Sequence, residues 1–90
     1  MSSIMRAPSR YLTVVIPLNG RTLQNNDCIV IVCPDNSAQN ALAVYSAGSW
    51  THIGNTGYSY LTSGDYVYVR IIQDGNSDFH ACFLPSPVLS

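Results

Sequence analysis

The chain has 90 residues and a formal net charge of −1, with only 10% of its residues charged, against roughly 25% in an ordinary domain. Its four basic residues are all arginine (Arg6, Arg10, Arg21, Arg70) and its five acids all aspartate (Asp27, Asp35, Asp65, Asp74, Asp78); lysine and glutamate do not occur. There is no basic stripe to neutralise phosphates, and apolar runs fall far short of the roughly 20 residues of a membrane-spanning helix, so neither nucleic acid nor a membrane is an expected partner.

Residues 1–9 show no periodic pattern and read as a flexible N-terminal arm; lacking an apolar h-region, they are not expected to be a secretory signal. From Arg10 to Leu18 the pattern is β. Asn19-Gly20 follows, which predicts a type I′ hairpin turn with a return strand beginning at Arg21 to Leu23. Cys28 to Cys33 is apolar on both faces, as expected of a central strand covered on both sides, and Pro34-Asp35-Asn36-Ser37 ends it as a turn. Ala38 to Leu42 is compatible with one helical turn. Leu42 to Ser46 and Ser49 to Ile53 flank Ala47-Gly48 and predict a second hairpin. After the loop Gly54-Asn55-Thr56-Gly57, a short strand from Tyr58 to Leu61 leads to a turn at Thr62-Ser63-Gly64-Asp65. Asp65 to Gln73 is the clearest half-buried strand: Val67, Val69 and Ile71 form one face, and Tyr66, Tyr68, Arg70 and Ile72 the other. Asp74-Gly75-Asn76-Ser77 turns the chain into a last strand, Asp78 to Leu84. Pro85 and Pro87 then favour an extended tail over residues 85–90.

These elements predict an all-β chain: a small single-domain sandwich or barrel of about six short antiparallel strands over residues 10–84, with extended terminal arms. A domain of this size buries only roughly 60–65% of the surface its unfolded chain exposes, so neighbouring subunits are an expected source of further stability. The absence of lysine removes a common guard of free sheet edges. Edges covered by the chain's own arms or by partner chains are therefore expected, and with them a homo-oligomer, a trimer being one form. Cys28 and Cys33 lie five positions apart and so on opposite faces of one strand, which argues against a bridge between them. All three cysteines, Cys82 included, are expected as free thiols.

Three groups of residues could carry chemistry. Asp78, His80 and Cys82 alternate along one strand and point one way, as a metal site or a Cys–His pair would require. Two ligands at i, i+2 supply only part of a zinc set, and nothing marks an activated thiolate. The expected roles are structural, with Cys82 a small buried hydrophobe and His80 half-buried; no metal, cofactor or catalytic residue is assigned. Trp50 shares a face with His52 and is a candidate for stacking on a sugar. No nucleophile elbow or phosphate loop occurs, so an enzyme is not expected. The face formed by Tyr66, Tyr68 and Arg70 carries residue types enriched at interface hot spots, and Tyr58 and Tyr60 are expected on an adjacent strand, extending the patch.

Two segments resemble known modules. Tyr45-Ser46-Ala47-Gly48-Ser49-Trp50-Thr51-His52-Ile53-Gly54 resembles the turn-Trp hairpins of phage fibre and other virion β-modules. Thr62-Ser63-Gly64-Asp65-Tyr66-Val67-Tyr68-Val69 resembles the strand entry of small phage capsid decoration proteins. The resemblance implies a virion structural protein assembled in the host cytoplasm. Its expected role is a capsid decoration (cement) subunit whose partners are its own copies and the major capsid protein or other virion subunits, with a tail or fibre subunit as a close variant. A carbohydrate-binding β-module is the alternative.

Overall fold

A computed structural model describes residues 11–73, 75 and 77–87. It contains seven strands: β1 (Tyr11–Pro17), β2 (Cys28–Val32), β3 (Ala41–Ser46), β4 (Ser49–Ile53), β5 (Tyr58–Ser63), β6 (Tyr66–Ile72) and β7 (His80–Leu84). They form two antiparallel sheets, one ordered β1-β6-β5 and one ordered β4-β3-β2-β7. The domain is thus an all-β sandwich; the sheets do not close into a barrel. The only helical turn among the described residues is a 3-10 turn, Ser37–Gln39, in the segment whose sequence left that option open. The expected arm at residues 1–9 lies outside the described residues.

Alternation along each strand builds the core. Ile29 and Ile31 of β2, Ala43 of β3, and Val67, Val69 and Ile71 of β6 are at most 1% exposed and meet between the sheets. Phe83 and Ala81 of β7 stand opposite Ile29 and Ile31 and pack against this centre, as do Leu12 and Val14 of β1.

Both expected turns form, with different consequences. At Ala47-Gly48 (φ +52° and +85°) the chain returns directly as the β3–β4 hairpin. At Asn19-Gly20 (φ +56° and +83°) the backbone also reverses, with the Arg21 amide donating to the Leu18 carbonyl at 3.1 Å. The expected return strand at Arg21 to Leu23 does not form: β1 pairs with β6 alone, and its other side stays at the edge of the sheet. The turn is instead held by the β5–β6 hairpin: the Leu18 amide donates to the Asp65 carbonyl (2.8 Å), and the Gly20 amide to Asp65 Oδ1 (2.9 Å). Freed from β1, residues 18–27 cross to the other sheet.

That crossover ends on a buried charge. Asp27 is 0% exposed and receives four hydrogen bonds. Arg21 donates through Nε (3.1 Å) and Nη2 (2.8 Å), the Gln24 amide at 2.9 Å, and the Ser86 amide at 2.7 Å. Burial by itself pushes this carboxyl's pKa upward and is the largest single influence. The donors from Arg21, Ser86 and Gln24 together outweigh it and hold the group well below the usual carboxylate range. The tail expected to start at residue 85 is therefore anchored at its second residue.

The folded carboxyl binds its proton more weakly than the unfolded one. Asp27 accordingly contributes its full stability at neutral pH, and that contribution declines as the pH falls through the ordinary carboxylate range, near about pH 4, and below it. Asp27→Asn is expected to cost about 3 kcal/mol at pH 7. It should also flatten the acid limb of a plot of denaturation midpoint against pH; an unchanged acid limb would show that other carboxyls govern it. The thiols yield a second expectation. No disulfide joins Cys28, Cys33 or Cys82, and their exposure rises from buried Cys33 through half-buried Cys28 to exposed Cys82. A thiol reagent should modify Cys82 fastest in the native protein and reach Cys33 only on unfolding, with three thiols titrated in denaturant.

Candidate functional site

The outer face of the three-stranded sheet carries the predicted Tyr66, Tyr68 and Arg70. Val67, Val69 and Ile71 point inward, so the three interface candidates point out, as the alternation predicts. Cross-strand partners widen this face. Val15 and Leu61 flank Tyr68 in one row, and Thr13 and Ser59 flank Arg70 in the next. Leu61 is 62% exposed, and Tyr11, Val15, Tyr66 and Ile72 are exposed as well. The Arg70 guanidinium lies 4.1 Å from the centroid of the Tyr11 ring, a cation–π contact that keeps the charge over the sheet.

Tyr58 and Tyr60 do not extend this patch. They stand opposite Ile71 and Val69 on β6, and directly opposed residues of antiparallel strands share a face, so both point inward. They do lie on the strand adjacent to β6, as expected, but on its inner face. Inside, they join Trp50 and His52 of β4 along the side of the sandwich where β4 and β5 are the edge strands. The His52 ring stacks on Tyr58, with centroids 4.4 Å apart. His52 Nδ1 is 2.7 Å from the Tyr60 hydroxyl. Its Nε2 meets the Asn55 carbonyl, which can only accept, so Nε2 carries the hydrogen of that bond. Trp50 Nε1 donates to Thr62 Oγ1 at 3.1 Å. The Tyr58 hydroxyl donates to the Gln39 carbonyl beside Cys33. Burial raises both phenols: Tyr60 is pushed up to about 12, and Tyr58 higher still, with Cys33 adding to the effect of burial there. A cleft of about 510 Å3 runs along this rim, lined by residues of both edge strands.

The outer face of the four-stranded sheet is a surface that the sequence reading did not find. Cys28 to Cys33 was expected to be covered on both sides. In the structure β2 is indeed central, between β3 and β7, but only one of its faces is covered: Ile29, Ile31 and, just past the strand, Cys33 are buried in the core. Val30 and Val32 point away, in cross-strand rows with Leu42, Ile53 and Cys82 beside Val30, and His80 beside Val32. Val32, Ile53 and Leu84 are each about half exposed, at 46%, 53% and 49%. The run apolar on both faces could have signalled this surface, since alternation alone does not say what covers the second face.

Asp78, His80 and Cys82 are surface residues. His80 Nε2 lies 3.4 Å from Asp78 Oδ2, with both side chains more than 60% exposed, where an ion pair contributes little. Cys82 is exposed, which corrects the buried role expected of it, and His80 is exposed rather than half-buried. Among the described residues no three His, Cys, Asp or Glu side chains converge to hold a metal.

Tyr60→Phe removes the hydroxyl that faces His52 Nδ1 and should cost about 1–2 kcal/mol, read as a lowered urea midpoint with an unchanged slope. Because Trp50 is the only tryptophan, its emission should report the same rearrangement; a variant with wild-type stability and emission would show that the rim bonds are dispensable. No protein-family model, curated protein or solved structure matches this chain.

Proposed function

We propose that this protein is a structural subunit of a larger assembly, and specifically a virion protein of the capsid decoration kind, which oligomerises and stabilises an assembled shell. One observation carries the reading. Among the described residues, the strand side chains on the outer faces of both sheets are aliphatic, tyrosine, cysteine, or small and hydroxylated, with Arg70 and His80 as the only basic groups and no acid within the strands, Asp78 standing just before β7. Exposed apolar patches beyond a few hundred Å2 mark interaction sites in soluble proteins. Neighbours that cover these faces remove apolar area from water, at roughly 25 cal/mol per Å2, and supply burial that a 90-residue core lacks. Binding only the assembled shell stabilises that shell by mass action. Own copies and a major capsid protein or other virion subunits are the partners this reading assigns, the virion is its location, and it assigns no reaction to the chain.

The alternative, a carbohydrate-binding module, has one observation in its favour: the rim cleft combines the Trp50 and Tyr60 rings with the hydroxyls of Ser49, Ser59 and Thr62. Against it, Trp50 already packs edge-on to Tyr45 and donates its N–H to Thr62.

Tyr68 stands at the middle of its face, between Val15 and Leu61. Tyr68→Ala should leave the fold intact and weaken association by about thirtyfold, the equivalent of a hot-spot loss of roughly 2 kcal/mol, as measured by sedimentation equilibrium. His80→Ala should associate like wild type. The reverse ranking would move the interface off the three-stranded sheet.

A further inference from the structure

The two edge strands on the Trp50 side differ from the other two edges. Nothing between Ser49 and Ser63, the span of β4, its loop and β5, is charged or proline. The pairing of β4 with β3 and of β5 with β6 is continuous, without a bulge. Lysine, proline, bulges and inward charges are the devices by which native edges avoid pairing with other chains, and this rim has none. The opposite edges are guarded: β1 ends in Pro17, β7 is followed by Pro85, and the two strands lie against each other.

The rim also has unused backbone groups. The Tyr45 amide and carbonyl bond to Asp27 and Asn26, away from β4, so Tyr45 and Trp50 are a non-hydrogen-bonded pair. By alternation His52 is in the same position, and the N–H and C=O of both point outward from the edge. On β5 the Ile72 amide donates to the Gly57 carbonyl, which makes Tyr58, Tyr60 and Thr62 the residues whose backbone groups point outward. Among the described residues no backbone hydrogen bond reaches these outward groups.

We infer that this rim pairs with the same rim of a second copy of the chain. A two-fold axis perpendicular to the sheets sets β4 antiparallel to its counterpart in one layer and β5 antiparallel to its counterpart in the other, so that both sheets run on through the dimer. A second copy fits where a dissimilar partner is not required: the rim is uncharged, so antiparallel self-pairing brings no like charges together. Each rim also presents both donors and acceptors, which makes it self-complementary. This inference rests on the assembly reading and specifies how one of its contacts is made.

The test uses Thr51 and Ser59, exposed edge residues whose side chains point away from the core. Thr51→Lys with Ser59→Lys, and separately Thr51→Glu with Ser59→Glu, should each fold normally by circular dichroism and dimerise at least about tenfold more weakly than wild type, because like charges then face each other. Mixing the two variants should restore association. In wild type, the amides of Trp50, His52, Tyr58, Tyr60 and Thr62 should become protected from hydrogen exchange as concentration rises. A wild-type oligomer that survives both double variants with fast-exchanging rim amides overturns the edge pairing and leaves the assembly reading standing. A wild-type protein that stays monomeric at high concentration overturns the assembly reading itself.

Discussion

Asp27 is a carboxylate with no exposure to water, and it fastens the crossover between the two sheets to the chain beyond the last strand. Its two oxygens collect donors from three places: the Arg21 fork and the Gln24 amide in the crossover, and the Ser86 amide beyond the last strand. The Asp27 carbonyl meanwhile accepts from Tyr45, so the same residue joins the ladder to β3. One side chain thus ties the entry of β2 to the exit of β7, the strand beside it. The Arg21 guanidinium, 5.9 Å from the centre of the Phe83 ring, closes the core at that end. A buried ion pair of this kind is expensive to desolvate and adds little net stability, but the unpaired alternative is much worse. What it contributes is register: a chain folded with β2 displaced along β7 would part the carboxylate from the Ser86 amide.

The sandwich's two open surfaces follow from composition as much as from topology. Among the described residues, two of the few charged side chains fasten turns: Asp65 holds the Asn19-Gly20 reversal, and Asp35 accepts from the Ser77 amide and hydroxyl to join the turn after β2 to the loop before β7. Little is left to make the outer faces hydrophilic. The molecule's polarity is therefore concentrated in its connections and its apolar character spread over its sheets, the reverse of what an isolated small domain in water favours.

Local chemistry was legible in the sequence and partnership was not. The Ala47-Gly48 hairpin and the two faces of β6 could be read because each depends on a few neighbouring residues. The return strand after Asn19-Gly20 failed because a turn specifies reversal and not which strand lies alongside; the chain crosses to the other sheet, and β1 pairs with β6, some fifty residues later. Tyr58 and Tyr60 were misplaced for a related reason. Their face depends on which β6 residues they oppose, and the pairing sets them against Ile71 and Val69 on the buried side, a cross-strand relation that the composition of the β5 segment alone does not carry. Asp27 matches no recognised motif: its partners Arg21 and Gln24 are near in sequence, but Ser86 is 59 positions away and meets it only in the folded chain.

The strand order has a consequence for synthesis on the ribosome. β2, β3 and β4 form a local meander that can assemble as soon as β4 has emerged, but β1 pairs only with β6, and the other side of β2 only with β7. β1 therefore waits until β6 is made, some fifty residues later, before it has a partner, and the Asp27 carboxylate waits for its last donor until Ser86 arrives. Through that interval the apolar face of β1 and one side of β2 wait for partners far along the chain, a high-contact-order arrangement that folds slowly and leaves nascent chains open to one another.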